Sequence, residues 1–175
     1  RVGAKSVVVT FDRHPASVVR PDAAPRLLTN TAQKLELLAA TGVDAVVVLS
    51  FTPEQSKEIP SDFVQRVIVD GLHASTVIVG SDFHFGHMRQ GNVTLLREMG
   101  ERHDFTCEPV VLIERADDID EPVSSTAIRR ALAGGEIATA AKMLGHSYEV
   151  VSTVVTGDQR GRTIGFLTAN VEIPN

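Results

Sequence analysis

The feature that most constrains this chain is a set of short β-branched runs with no polar alternation. Residues 6–11 (SVVVTF), 45–51 (AVVVLSF) and 75–79 (STVIV) are nearly continuous apolar stretches, and residues 106–113 form a fourth. A strand with one wet face alternates polar and apolar side chains, whereas a strand apolar on both sides needs cover on both. Helical periodicity fills the intervals. Residues 31–40 carry Leu35, Leu37 and Leu38 and end before Gly42; residues 61–72 place Phe63, Val64, Val67 and Ile68 at helical spacing; residues 92–102 are a third helical stretch. Buried strands separated by helices predict a parallel α/β sheet covered on both faces. Residues 124–133 and 136–144 predict a helix pair around Gly134-Gly135.

The pattern changes after Gly145. Residues 148–156 (YEVVSTVVT) read as a longer strand, and the Gly/Arg-rich segment that follows shows no helical pattern. This predicts two domains, 1–146 and the start of a β-rich module at 147–175. An interior parallel strand at 6–11 also needs a neighbour and a crossover, a unit of roughly 30 residues or more, which is expected upstream of Arg1.

Composition narrows the function classes. The 175 residues are 43% hydrophobic and 22% charged, enough for a packed core without cross-links. Cys107 is the single cysteine, which rules out an internal disulfide and a cysteine-rich zinc site, and favours a reducing compartment, the cytoplasm. The net charge is −5 with no basic run, which argues against a nucleic-acid partner. The longest apolar stretch, around 44–51, is too short to cross a bilayer.

Four segments carry candidate chemistry. In residues 124–129 (SSTAIR), Ser124 and Ser125 stand where a helix cap is expected, ahead of a stripe of Ala127, Ile128, Ala131 and Leu132. Arg129 lies one turn in and leans toward the helix N-terminus. Unpaired N–H groups, the hydroxyls of Ser124, Ser125 and Thr126, and a guanidinium then converge on a site for phosphate. Arg129 is off the apolar stripe, so its loss is expected to leave folding nearly intact. Residues 79–86 (VGSDFHFG) follow a strand directly. Gly80 and Gly86 allow close backbone approach, Asp82 is polar, and Phe83 and Phe85 offer an apolar wall or simply plug the core. His84 and His87 have no third ligand in view and do not make a metal site. Residues 10–15 (TFDRHP) place Asp12, His14 and Pro15 at another strand end, as ligand contacts or as a turn. Residues 157–170 (GDQRGRTIGFLTAN) combine Gly157, Arg160, Gly161 and Arg162 with Thr168 and Asn170, two residues apart. On a strand those two share a face, where they suit Mg²⁺ or phosphate, though a basic hairpin turn fits equally. Neither a Walker-type phosphate loop nor a nucleophile elbow occurs.

In this order the four segments resemble the prokaryotic bifunctional riboflavin kinase/FMN adenylyltransferase family, over almost the whole chain. The resemblance implies a Rossmann-like nucleotidyltransferase domain with a parallel sheet, followed by the start of a riboflavin kinase β-barrel. It implies joining of ATP and FMN into FAD, with Mg²⁺, and phosphorylation of riboflavin. Ser124, Ser125, Thr126 and Arg129 match the segment that holds ATP phosphates, with Arg129 the catalytic residue. Asp12, His14, Pro15, Gly80, Asp82, Phe83, Phe85 and Gly86 match the flavin and nucleotide pocket. Gly157, Arg160, Gly161, Arg162, Thr168 and Asn170 match the kinase motif, in which Thr168 and Asn170 hold the metal. The partners implied are small molecules only. The chain departs from the family in lacking its G-x-F-D-G-x-H-x-G-H segment, expected before Arg1, and most of the barrel; by itself it is expected to be inactive. Arg13 stands where the family has Pro, Leu167 where it has Pro, and His146-Ser147 where it has Arg-Pro. A non-catalytic flavin- or nucleotide-binding module, or an adenylyltransferase for another small phosphate ester, are the competing readings.

Overall fold

The computed structural model of the chain describes residues 3–111, 122–158, 160–166 and 168–171. The expected positions 112 and 113 of the fourth strand, and Gln159 and Leu167 of the tail, lie outside them. The protein is a mixed α/β structure whose chain divides into two compact units. One unit comprises Val9–Pro25 and Val47–Ala127; the other comprises Arg1–Val8, Arg26–Val46 and Ile128–Asn175.

The expected strands form at β1 (Val7–Phe11), β2 (Ala45–Leu49), β3 (Thr76–Gly80) and β4 (Thr106–Val110). β1 pairs with β2, and β3 pairs with β4 in parallel, Thr76 opposite Thr106 through Gly80 opposite Val110. None of these strands is fully buried, contrary to the expectation from their apolar runs; β3 leaves Ile78 at 65% exposure and β4 alternates exposed and half-buried positions. From these strands Val9, Leu49, Val77 and Val79 pack against the helical core.

The helices are set by identifiable caps. In α2 (Thr31–Ala40), the Asn30 side chain accepts from the Gln33 N–H at 2.9 Å, and the Gln33 side chain accepts from the Asn30 N–H at 3.0 Å. Gly42, at φ +78°, turns the chain out of that helix. In α4 (Val93–His103), Asn92 caps the Leu95 N–H at 3.0 Å. The single helix expected at 61–72 is instead a short α3 (Pro60–Phe63) running into a π-helix, Val64–Gly71. Its wide turn appears in the Gln65–Asp70 hydrogen bond of 2.8 Å, an i, i+5 pair that α-helical spacing would separate. The apolar residues still face inward. Val64, Val67 and Ile68 join Phe85, Leu96, Met99 and Phe105 in one core, against which Val9, Leu49, Phe63, Val77 and Val79 pack. Each such side chain contributes roughly 1.5–3 kcal/mol of burial.

In the other unit, the part of α5 (Ser125–Ala133) from Ile128 on and α6 (Ile137–Leu144) pack through Ile128, Ala131 and Ala140, with Leu28, Leu132, Met143 and Leu144 around them. The expected long strand at 148–156 does not form. Among the described residues of the tail, β5 (Val154–Val155) and β6 (Asn170–Val171) pair, antiparallel, and α7 (Arg160–Thr163) is one helical turn where none was expected. A strand persists only where neighbouring backbone takes its hydrogen bonds, and here the described partner is two residues long.

Gly86 is a tight joint beside the larger core. It sits at φ +70°, and a Cβ there would lie 2.6 Å from Cγ and 2.8 Å from Cα of Pro60. Gly86→Ala is therefore expected to cost roughly 1–3 kcal/mol, from overpacking on top of a strained φ. Thermal melts check this; an unchanged melting temperature would show that Pro60 yields freely.

Candidate functional site

Three of the sequence segments end up around strand and helix termini, and each is held by contacts that periodicity did not show. At the end of β1, the Asp12 N–H donates to the Leu49 carbonyl at 2.9 Å. Asp12 Oδ1 accepts from the Phe51 N–H at 3.0 Å and from Arg13 Nε at 3.1 Å, and Oδ2 accepts from an Arg13 Nη at 3.2 Å. Asp12 thus ties the ends of β1 and β2 together. The Arg13 guanidinium foremost, then the Phe51 N–H, hold its carboxyl below the ordinary aspartate range. Arg13 supplies that ion pair. His14 Nδ1 accepts from the Ala16 N–H at 3.1 Å, so this ring caps α1 (Ala16–Val19), with Pro15 just ahead of the helix.

Residues 80–91 form a closed loop after β3. The Ser81 N–H bonds the Val110 carbonyl, and Phe85 and Gly91 exchange both backbone hydrogen bonds, at 3.1 and 2.9 Å. Gly91 has no Cβ because the Phe85 ring occupies that place, 2.8 Å from where one would be. Phe85 is 8% exposed and belongs to the core. Phe83 stacks on it with centroids 5.4 Å apart and is the ring that reaches solvent. Gly80 ends β3 with the Asp82 carboxylate beside it; a Cβ on Gly80 would lie 3.1 Å from Asp82 Oδ1. His84 Nδ1 faces the Asp82 carbonyl at 2.7 Å and His87 Nδ1 the Ser56 carbonyl at 3.1 Å, two separate anchors. The His87 N–H also donates to the carbonyl of Glu58, whose carboxylate grips Arg66 through two bonds of 2.7 and 2.8 Å. Glu58 and Arg66 therefore brace this loop. Their eight-residue spacing, across Pro60, matches no helical pair, which is why the sequence showed no signal for them.

At α5, Ser124 Oγ accepts from the Ala127 N–H at 3.1 Å, the cap expected of it. Ala127, Ile128 and Ala131 are buried as expected, and Ser125 and Thr126 are exposed beside the first-turn N–H groups. Arg129 is half-buried, and its Nε–H donates to the Arg26 carbonyl at 2.7 Å. The side chain, off the apolar stripe as expected, is thus anchored by a backbone carbonyl.

The tail gathers its motif around a cavity of about 280 Å³ lined by Val154, Val155, Thr156, Gly157, Arg162, Thr168 and Asn170. A Cβ on Gly157 would meet the Asn170 side-chain amide, and one on Gly161 would meet the Phe166 carbonyl and the Thr168 side chain. The two glycines are the cradles in which Asn170 and Thr168 sit. Arg160 is turned to Asp158 at 3.2 Å and does not line the cavity. The polar groups on its wall are the Thr156 and Thr168 hydroxyls, the Asn170 amide and the Arg162 guanidinium, with no carboxylate among the described residues that line it. Such a set fits Mg²⁺ held jointly with phosphate oxygens, since neutral ligands alone bind the ion weakly.

Comparison with known proteins agrees with this order of segments. The FAD synthetase family model matches residues 1–127 and the riboflavin kinase model matches residues 144–175. The chain belongs to the FAD synthetase family. It is 37% identical over 173 residues to the bifunctional riboflavin kinase/FMN adenylyltransferase of Listeria monocytogenes, covering 98% of this chain and 53% of that protein. It is 35% identical over 167 residues to the protein of the same name from Escherichia coli K12, covering 95% and 52%. The chain thus spans about half the length of these relatives. A crystal structure described as a macrolide-efflux protein from Streptococcus pneumoniae superposes with a TM-score of 0.72 at 26% identity, over 97% of this chain and 54% of that one. Among the described residues no helix is long and apolar enough to cross a membrane.

The Asp12 clamp has a pH signature. Its folded pKa lies below the unfolded one, so its stabilisation is complete above the ordinary aspartate value and is lost as pH falls through the lower, folded value. The melting-temperature gap between wild type and Asp12→Asn is expected to be steady near neutrality and to close below about pH 4, the ordinary range for aspartate. A gap that persists unchanged into acid would show that the carboxylate's charge is not what joins the strands.

Proposed function

We propose that this protein transfers the adenylyl group of ATP to FMN, giving FAD and pyrophosphate, and that its full reading frame also phosphorylates riboflavin to FMN. The observation that carries this reading is the order of the two family matches, FAD synthetase first and riboflavin kinase second. The domains are those of the sequence, 1–146 and 147–175, and the reaction belongs to the cytoplasm. ATP, FMN and riboflavin are the partners, with neither nucleic acid nor membrane involved.

In the transfer step an FMN phosphate oxygen attacks the α-phosphorus, and the bond to pyrophosphate breaks with its electron pair. Both partners are anionic, so the residues act by positioning and charge neutralisation. Ser125, Thr126 and the first-turn N–H groups of α5 receive phosphate oxygens, and Arg129 grips them with its fork. Phe83, on its buried Phe85 support, offers the flavin a flat face, with Gly80, Asp82 and Gly86 shaping the loop. Asp12, His14 and Pro15 shape the end of β1. In the kinase half, Arg162 would hold phosphate and Thr168 and Asn170 would hold phosphate and Mg²⁺, with Gly157 and Gly161 making room and Arg160 at the rim. Mg²⁺, when bound, neutralises phosphate charge.

The full reading frame, incubated with ATP, Mg²⁺ and FMN or riboflavin, is expected to give FAD and FMN respectively on chromatographic separation of flavins. Flavin binding without either product would favour a non-catalytic flavin-binding module. Arg129→Ala is expected to lower kcat/KM for FAD formation roughly tenfold to a hundredfold, the worth of one charge-assisted contact. Losing the bond to the Arg26 carbonyl adds a stability cost of about 0.5–1.5 kcal/mol. Arg129→Lys rescues in part, since a point charge lacks the planar fork. Wild-type turnover in Arg129→Ala would remove Arg129 from the phosphate site.

A further inference from the structure

Arg129 matters here through the way its own side chain is held. The bond to the Arg26 carbonyl uses Nε–H, the donor at the rear of the guanidinium. Among the described residues no partner occupies the four protons at the front of the fork. A long side chain anchored from behind keeps one rotamer and presents its bidentate edge, whereas an unanchored one must be ordered by the ligand.

A backbone carbonyl can anchor only if its own segment is fixed. Arg26 and Leu27 are exposed, and Leu27 is 42% so. Leu28 packs against the cluster of Ile128, Ala131 and Ala140. Ile128 is the chain neighbour of Arg129. The same cluster therefore orients the helix face that carries the guanidinium and pins the loop that carries its acceptor. Two residues further on, Asn30 is locked by its capping box.

We propose that Leu28 is a positioning residue for Arg129, setting the Arg26 carbonyl that aims the guanidinium; this rests on the reading of Arg129 as a phosphate ligand. Leu28 touches no substrate in this account. Its removal leaves Arg129 in place but unaimed, so catalysis falls through Arg129 and through nothing else.

The test is a set of variants in the full reading frame, with kcat and the ATP KM for FAD formation measured beside thermal melts. Leu28→Ala is expected to lower kcat/KM for ATP about fivefold or more under conditions where the melt shows the protein folded. Leu28→Met, which refills the volume, restores the rate to within about twofold. In an Arg129→Lys background, where the Nε–H is gone, Leu28→Ala costs less than about twofold further. Should Leu28→Ala fail to fold, Leu28→Val enters the same comparison. A wild-type rate in the Leu28 variant overturns the proposal, and so does a loss of equal size in the Arg129→Lys background, which marks Leu28 as core packing alone. Arg129→Ala separates the two ideas. Undiminished FAD formation there removes the phosphate reading itself, whereas a loss there beside an unaffected Leu28→Ala removes only the strut.

Discussion

Burial of one helical stripe governs the chemistry available to this protein. Ala127, Ile128 and Ala131 are each at most 6% exposed, and that choice of inward face leaves Ser125 and Thr126 in solvent and Arg129 half-buried beside them. The hydrophobic term that folds α5 is thus also what points its polar residues outward. Because the stripe lies at i, i+1 and i+4, a helix rotated by a quarter turn would bury a hydroxyl or a guanidinium without a partner, a cost that opposes the rotation. The Ser124 cap then fixes where the helix begins.

The same logic recurs with glycine in place of polar residues. Gly91 makes room for the Phe85 ring, Gly157 for the Asn170 amide, and Gly161 for Thr168. In each case an absent Cβ lets a side chain lie against backbone, and the motif's spacing is the imprint of that contact. What the chain invests in specific backbone shape it invests at the ends of elements, where side chains from distant positions must meet.

Much of this was legible in the sequence. Four strands, α2 with its end at Gly42, and the stripe of α5 follow from periodicity and caps, signals carried by neighbouring residues. The signals that failed are those that depend on distant ones. The π-helix at Val64–Gly71 keeps its apolar residues inward and so looks α-helical in sequence. The Tyr148 stretch has strand composition, but its hydrogen bonds need partners that composition does not report. Asp12 and Arg129 are each anchored by a backbone group, the Phe51 N–H and the Arg26 carbonyl, and a backbone group leaves no trace in residue identity. Phe85 packs in the core, and its place there depends on Phe63, Phe105 and other residues distant in sequence.

The central claim is that the start of α5 is where nucleotide phosphate is gripped. The most direct measurement is a crystal structure of the full reading frame with a non-hydrolysable ATP analogue and FMN. The account predicts phosphate oxygens within hydrogen-bonding distance of the Ser125 and Thr126 N–H groups and of the Arg129 fork, with Arg129 Nε still on the Arg26 carbonyl. A triphosphate bound elsewhere, with the first turn of α5 facing only water, would contradict it.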